Sequence, residues 1–237
     1  MAVGGSEPAP ADATPHRIAV LTGDVVKSSA LPATALDALF GALERGRRDA
    51  ASWAGPIGKL SRYRGDGWQL VTDAPGAALR LGLFLRATLL AENTDFDTRI
   101  SIGIGEGAFD AGDPGLLDGA AFQRSGRALE QMRRDERLLL AGQDDVALLP
   151  PAIALLDALC RRWTQAQCKV LRHALALPAP LQKDVASRLS VEPQTVSDHL
   201  ARANFEPVAA FCAGVEEYWA GLQMDQPKKA DSSVSAS

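Results

Sequence analysis

The chain reads as α+β, a layered part of strands and helices followed by an all-helical part, and three observations predict this. From His16 to Pro150 strand-length apolar runs alternate with runs of helical period, the pattern of a sheet backed by helices. Past Pro150-Pro151 every periodic run is helical, up to a polar tail from about Gln226. Two aspartates, Asp24 in Leu21-Thr22-Gly23-Asp24-Val25-Val26 and Asp66 in Arg64-Gly65-Asp66-Gly67-Trp68, each follow a glycine beside an apolar run. A carboxylate there is costly to bury unless something positive meets it.

The elements follow in order. Residues 18–23 are unbroken in apolar character and form a central strand. A helix over 32–52 carries Leu36, Leu39, Phe40 and Leu43 on one stripe, with Pro32 in its first turn. Residues 57–63 and 67–72 are two strands of a hairpin, with Asp66 at its tip. A helix over 75–91, marked by Leu79, Leu83, Leu85 and Leu89, leads to an alternating strand over 99–105. After a turn at 112–115 come a helix over 119–134 and a short strand over 138–141. This β-α-β-β-α-β order is that of a ferredoxin-like antiparallel sheet. Residues 163–177, 182–189, 193–203 and 207–222 are helices, Thr164 capping the first of them. The divisions are thus a flexible arm (1–16), the layered domain (17–150), a helical domain (151–225) and a disordered tail (226–237).

Composition narrows the function classes. With 46% hydrophobic and 23% charged residues the 237-residue chain is globular, and its net charge of -4 argues against an overall basic coat. Cys160, Cys168 and Cys212 lack CxxC spacing and lie in apolar helical surroundings, so they read as buried reduced thiols of a cytoplasmic protein rather than zinc ligands or a disulfide. No run approaches the length of a membrane span, and the first residues lack the pattern of a signal peptide. His16, His173 and His199 are too few and too scattered for a histidine cluster or a Ser-His-Asp arrangement. Gly103-Ile104-Gly105-Glu106-Gly107 lies late in a strand with no helix opening behind it, so it is not a dinucleotide loop.

Asp24 and Asp66, brought together by this strand order, make an all-oxygen site suited to Mg2+ or Mn2+, usually completed by water and the phosphates of a nucleotide. The turn Val25-Val26-Lys27-Ser28-Ser29 adds backbone amides, two hydroxyls and an ammonium, groups that favour phosphate. Each feature has a plainer reading: Asp24 as a helix cap, Asp66 as a turn residue, Gln123 and Arg127 as a solvated helix face.

Over about residues 17–150 the motifs resemble the catalytic palm domain of class III nucleotide cyclases, which carry one metal aspartate in an Asp-Ile-Val-Gly-Phe-Thr-like segment and another in a Lys-x-x-Gly-Asp hairpin. The interval of 42 residues between Asp24 and Asp66 is similar. Arg99-Ile100-Ser101-Ile102-Gly103-Ile104-Gly105-Glu106-Gly107 is similar to the family's Arg-Ile-Gly-Ile-His-Thr-Gly strand, and Gly119 to Arg127 resembles its Gly-x-x-Val-Asn-x-Ala-x-Arg helix. The resemblance implies metal ligation by Asp24 and Asp66, ribose orientation by Gln123, phosphate-charge stabilisation by Arg127 and a homodimer, because the two pairs come from different subunits. Gln123 stands where the family has Asn, Arg62 falls at the base-selecting Lys position, and the partner base-reading position falls near Leu116, so no particular nucleotide is implied. The Leu-x-Gly-Asp-Val-Val-x-Ser opening and Gly65, Asp66 and Gln69 also resemble the SatD-type family, which has a trailing helix-turn-helix.

In the helical part, residues 182–189 and 193–203 are separated only by Ser190-Val191-Glu192, a helix-turn-helix closed by Val185, Leu189, Val191, Val196 and Leu200, with Ala186 small at the crossing. The pattern from Val185 to Leu200 resembles LuxR-like and MarR-like regulators, with Ser190 where glycine is common. DNA is therefore an expected partner, read by Gln194, Thr195, Ser197 and Arg202, alongside Asp198 on the same face. Between residues 161 and 202 seven basic residues face three acidic ones, a local excess that suits phosphate contact. The helix over 207–222, with Val208, Phe211, Cys212, Val215 and Trp219 on a stripe, is expected to pack into the core. Together these readings describe a DNA-binding transcription regulator whose palm domain binds a nucleotide and a metal, the alternative being an active nucleotidyl cyclase.

Overall fold

A computed structural model describes residues 16–63, 65–109, 119–142 and 146–224. The arm, Arg64, the turn at 112–115, Leu116 and the tail from 226 lie outside these residues, apart from His16. Five strands form one mixed sheet in the order β2-β3-β1-β4-β5: β1 (His16–Val25), β2 (Ser61–Tyr63), β3 (Gly67–Thr72), β4 (Thr98–Gly107) and β5 (Leu138–Ala141). The first four pair antiparallel, as the order of elements predicts. β5 runs parallel to β4, so the sheet is not wholly antiparallel: the chain crosses from β4 through a helix and rejoins the same sheet in the same direction. Residues 57–60 are not strand; only a single bridge joins Ile57 to Thr72.

The helices are α1 (Ala33–Ala50), α2 (Ala78–Glu92), α3 (Ala120–Gln131), α4 (Leu149–Cys160), α5 (Gln165–Ala174), α6 (Gln182–Leu189), α7 (Pro193–Arg202) and α8 (Phe205–Met224). Alternation along the strands assigns the two faces of the sheet. Ala19 and Leu21 of β1 and Ile100, Ile102 and Ile104 of β4 join the core that contains α1 and α2, whereas Ile18, Val20 and Val71 meet Ala121 and Phe122 of α3. Under α3 the β4 residues are small, which lets the helix lie close.

α2 is the helix that Leu79, Leu83, Leu85 and Leu89 mark in the sequence. It is buried on all sides from Ala78 to Ala91, the behaviour of a helix that is apolar all round, because the sheet covers one side and α5 and α8 the other. Its two arginines are paired: Arg80 donates to both oxygens of Glu216 on α8 at 2.5 and 3.0 Å, and Arg86 donates to Asp97 at 2.8 Å and to the Cys160 carbonyl at 2.7 Å. Pro150 and Pro151 occupy the first turn of α4, where their missing N–H groups cost nothing. The apolar core runs without interruption from the sheet through α2 to Trp163, Leu171, Cys212 and Trp219.

α5 opens with a capping box: Thr164 accepts from the Gln167 N–H at 3.3 Å and the Gln167 side chain accepts from the Thr164 N–H at 2.8 Å. Val170, Val185, Ala186 and Val196 form a small core joining α5, α6 and α7. Ser190, between α6 and α7, has a φ of 54°, the left-handed conformation that makes glycine common at such a turn.

Candidate functional site

The site is built where β1 ends. The β2–β3 turn lies beside it, tied by a hydrogen bond from the Val25 N–H to the Asp66 carbonyl at 3.1 Å. Gly65 takes a φ of 85° there, which suits its lack of a side chain. A glycine must precede Asp24 for a different reason: a Cβ at Gly23 would lie 2.4 Å from the Trp68 indole. That indole is fully buried and donates to Thr98 Oγ1 at 2.9 Å, and Thr98 in turn donates to the Asp24 carbonyl at 2.7 Å. The Gly-Asp pattern is thus a packing requirement that holds the Asp24 backbone in place.

Asp24 and Asp66 line one cavity of about 520 Å³ with Thr22, Ser61, Tyr63, Gln69 and Glu130. Polar side chains pin α3 over it: Thr22 Oγ1 and Ser125 Oγ are 2.8 Å apart, Ser101 donates to the Ser125 carbonyl at 2.6 Å, and Gln69 donates to Thr22 at 3.1 Å. A second cavity of about 590 Å³ adjoins the other side of Asp24, lined by Lys27, Ser29, Arg99, Arg134 and Arg137. Asp24 therefore stands on the wall between a carboxylate-lined space and a cation-lined one.

Both oxygens of Asp24 are held by Arg99, its register partner on β4. Nε donates to Oδ1 at 2.8 Å and Nη2 to Oδ2, the two-pronged geometry of strong guanidinium–carboxylate pairs. The Asp24 hydrogen bond holds the Arg99 guanidinium above its ordinary range, against the opposing effect of burial, and the charge of Asp66 adds to the rise. Asp66 accepts from Ser28 Oγ at 2.5 Å. Arg137 is fixed from behind, donating to Asp97 at 2.7 Å.

The expected residues therefore divide. The structure brings Asp24 and Asp66 to one cavity and Lys27 and Ser29 to the next, while Ser28 turns back to Asp66. Arg62 is not part of this site. Alternation along β2 sends Ser61 and Tyr63 into the cavity and Arg62 to the opposite face, where it donates to Asp37 at 2.9 Å and lies 4.2 Å from the Phe40 ring. Gln123 and Arg127 are exposed on α3 and line neither cavity; α3 instead contributes Gly126, Leu129 and Glu130. Missed by the sequence reading were Arg99 as the Asp24 partner and the cations Arg134 and Arg137. A basic residue opening the strand that neighbours Asp24 was the available signal for the first.

Among the described residues no three His, Cys, Asp or Glu side chains converge as a ready-made metal cluster. The donor chemistry, two carboxylates with hydroxyl and amide oxygens, fits Mg2+ or Mn2+ only where a ligand's phosphates complete the set. Such an ion would supply charge neutralisation of those phosphates and activation of an oxygen nucleophile.

On α7, Gln194 and Arg202 are exposed and Thr195 and Ser197 half-buried; Gln194 donates to Asp198 at 2.9 Å. Among the described residues no helix is long and apolar enough to cross a membrane.

No protein-family model matches the chain, and no curated protein matches it in sequence. Solved structures that match the chain include the guanylyl cyclase Cya2, at 17% identity and a TM-score of 0.41 over 54% of this chain and 76% of that one. A bacterial light-regulated adenylyl cyclase matches at 18% identity and a TM-score of 0.39, over 55% of this chain and 44% of that one. A second structure of such an enzyme matches at 19% and 0.36, over 53% and 43%. The chain spans less than half the length of the two light-regulated proteins, and likeness at this level assigns neither family nor activity.

Proposed function

We propose that the chain binds a nucleoside polyphosphate with a divalent cation at the Asp24–Asp66 cavity and acts as a cytoplasmic DNA-binding transcription regulator through α6 and α7. The observation that carries the first half is the position of Asp24 between a carboxylate-lined and a cation-lined cavity, which fits a ligand whose phosphates need metal on one side and guanidinium on the other. Arg99 is the positioning residue. It neutralises Asp24 in the empty protein and, once phosphates offer it a partner in the cation-lined cavity, frees the carboxylate. Metal and polyphosphate are then acquired together. Lys27 and Ser29 contact the phosphates, and Ser28 orients Asp66.

For the second half, the Ser190 turn, the apolar seam of Val185, Ala186 and Val196 and the outward Arg202 support a helix-turn-helix that presents α7 to the major groove. The DNA segment is residues 161–203. The motif resemblance to class III cyclases and to the SatD-type family agrees with this pairing of parts.

The second reading, an active nucleotidyl cyclase, is favoured by Gln123 and Arg127. Both are exposed together on α3 outside their own chain's cavity, as they would be if a homodimer delivered them to the partner's Asp24–Asp66 site. One experiment separates the readings: incubation with each of four nucleoside triphosphates and Mn2+, with product analysis and binding calorimetry, beside Asp24→Ala and Asp66→Ala. The regulator reading expects metal-dependent binding without turnover, lost in both variants. Cyclic product lost in both variants makes the chain an enzyme, and absence of all nucleotide binding overturns both readings.

A further inference from the structure

α4 reverses the usual arrangement of a surface helix. Its one charged residue, Asp157, is buried and accepts from the backbone N–H groups of Arg137 and Leu138 at 3.0 Å each. That tie, with Ile153, Leu156 and Cys160 in the core, fixes which side of the helix faces out. The outward side carries no charged residue. Leu148, whose backbone is already helical, is 80% exposed, Leu155 70% and Leu159 39%. With the half-buried Ala152 they recur at spacings of four, three and four residues, the seam of a helix that packs against one other helix.

The apolar surface continues past Val146 and Leu149 into a cavity of about 350 Å³ lined by Phe211, Val215, Tyr218 and Trp219 of α8. Among the described residues seven large apolar side chains are exposed, and four of them, Leu148, Leu155, Leu159 and Tyr218, lie on this surface, a concentration that marks an interaction site. The chain has little of its own to cover it. Residues 1–15 offer only Met1 and Val3 as large apolar residues and residues 225–237 only Val234. Leu116 and Leu117 are adjacent in sequence, so they cannot supply a facing seam of helical spacing. The seam does match itself in reverse. Leu155 then meets Leu155, Leu159 meets Ala152, and the aliphatic stem of Arg162, exposed just past the helix, covers Leu148. Large faces small on either side of the centre, as interdigitating helices require, and the two helix dipoles oppose. A parallel pair would set Ala152 on Ala152 and leave a gap.

We propose that this surface binds a second copy of the chain, α4 lying antiparallel to the partner's α4 with the two-fold axis at Leu155. The interface is not the one that would exchange Gln123 and Arg127. Those residues lie on α3, which covers one face of the sheet, whereas α4 packs into the core on the other face. A pair of twelve-residue helices, even extended by the α8 surface, is small for a stable interface, so the dimer forms and dissociates in the micromolar range. The pairing depends on neither the nucleotide nor the DNA reading.

Sedimentation velocity of the full chain over a concentration series tests the proposal, beside Leu155→Glu and a set of single cysteine variants. A monomer–dimer equilibrium is expected, weakened at least about tenfold by Leu155→Glu. The circular dichroism of that variant should be native, because the side chain it replaces is exposed. The natural thiols are buried, so a cysteine placed on the seam reports alone. Mild oxidation with diamide should cross-link Leu155→Cys to itself, and Leu159→Cys to Ala152→Cys in a mixture of the two, but neither of these to itself. A monomer throughout the series, a dimer indifferent to Leu155→Glu, or self-cross-linking of Leu159→Cys in place of its mixed pair would overturn the proposal.

Discussion

The end of β1 and the outer face of α7 are both polar, yet their charges are arranged in opposite ways. At β1 the groups are already satisfied from within: Asp24 by Arg99 and Asp66 by Ser28. On α7 the exposed Arg202 has no ion pair among the described residues. A ligand at the first site must exchange one internal partner for another, and so can be admitted only in combination. A ligand at the second adds to an open face, with an affinity set by counterions and salt.

The largest effect expected from breaking this contrast is at Asp24. Asp24→Ala removes the carboxylate and strands Arg99, so polyphosphate binding with Mn2+ should fall by about a hundredfold or more. The fold should lose roughly 1–3 kcal/mol in urea melts, the scale of an unsatisfied, partly buried charge. The same variant should leave duplex DNA affinity unchanged. Arg202→Ala should do the reverse, lowering duplex affinity about five- to tenfold, reducing the salt slope by about 1 and leaving nucleotide binding intact. An Arg202 variant whose loss is confined to one DNA sequence would indicate base reading instead of phosphate contact.

A smaller prediction concerns whether the two regions are energetically one. Burial pushes the thiols of Cys168 and Cys212 up to about 12 and that of Cys160 higher still, so at pH 8 a thiol reagent should find none of them in the native protein. Because all three belong to the core shared with the sheet, they should become reactive together as the sheet unfolds. Earlier labelling would show that the helical part opens by itself.

Much of the architecture was legible because it follows from local chemistry. An unbroken apolar run located β1, the hairpin around Gly65-Asp66 located β3, period-two alternation located β4, and the Thr164 cap and the α6–α7 turn follow from their residues. The convergence of Asp24 and Asp66 was legible through the glycines beside them. What was not legible depends on partners distant in sequence. Arg99 is ordinary until strand register places it across from Asp24. Arg62, four residues from the hairpin aspartate, is near the site in sequence, but the alternation of a three-residue strand turns it toward Asp37 and Phe40. The leucines of α2 announce a buried helix, but not that it is covered from both sides, since Arg80 and Arg86 look like solvent contacts until Glu216 and Asp97 arrive. The parallel pairing of β5 with β4 leaves no mark in four apolar residues.

The most direct test is a Mn2+ titration followed by electron paramagnetic resonance, on the native chain alone, on the native chain with a nucleoside triphosphate analogue blocked at the α–β bridge, and on Arg99→Ala. The guanidinium lock predicts weak Mn2+ binding by the native chain alone, binding at least about tenfold tighter with the analogue, and appreciable binding by Arg99→Ala without any nucleotide. Tight Mn2+ binding by the unaided native chain, or no gain in Arg99→Ala, would contradict it.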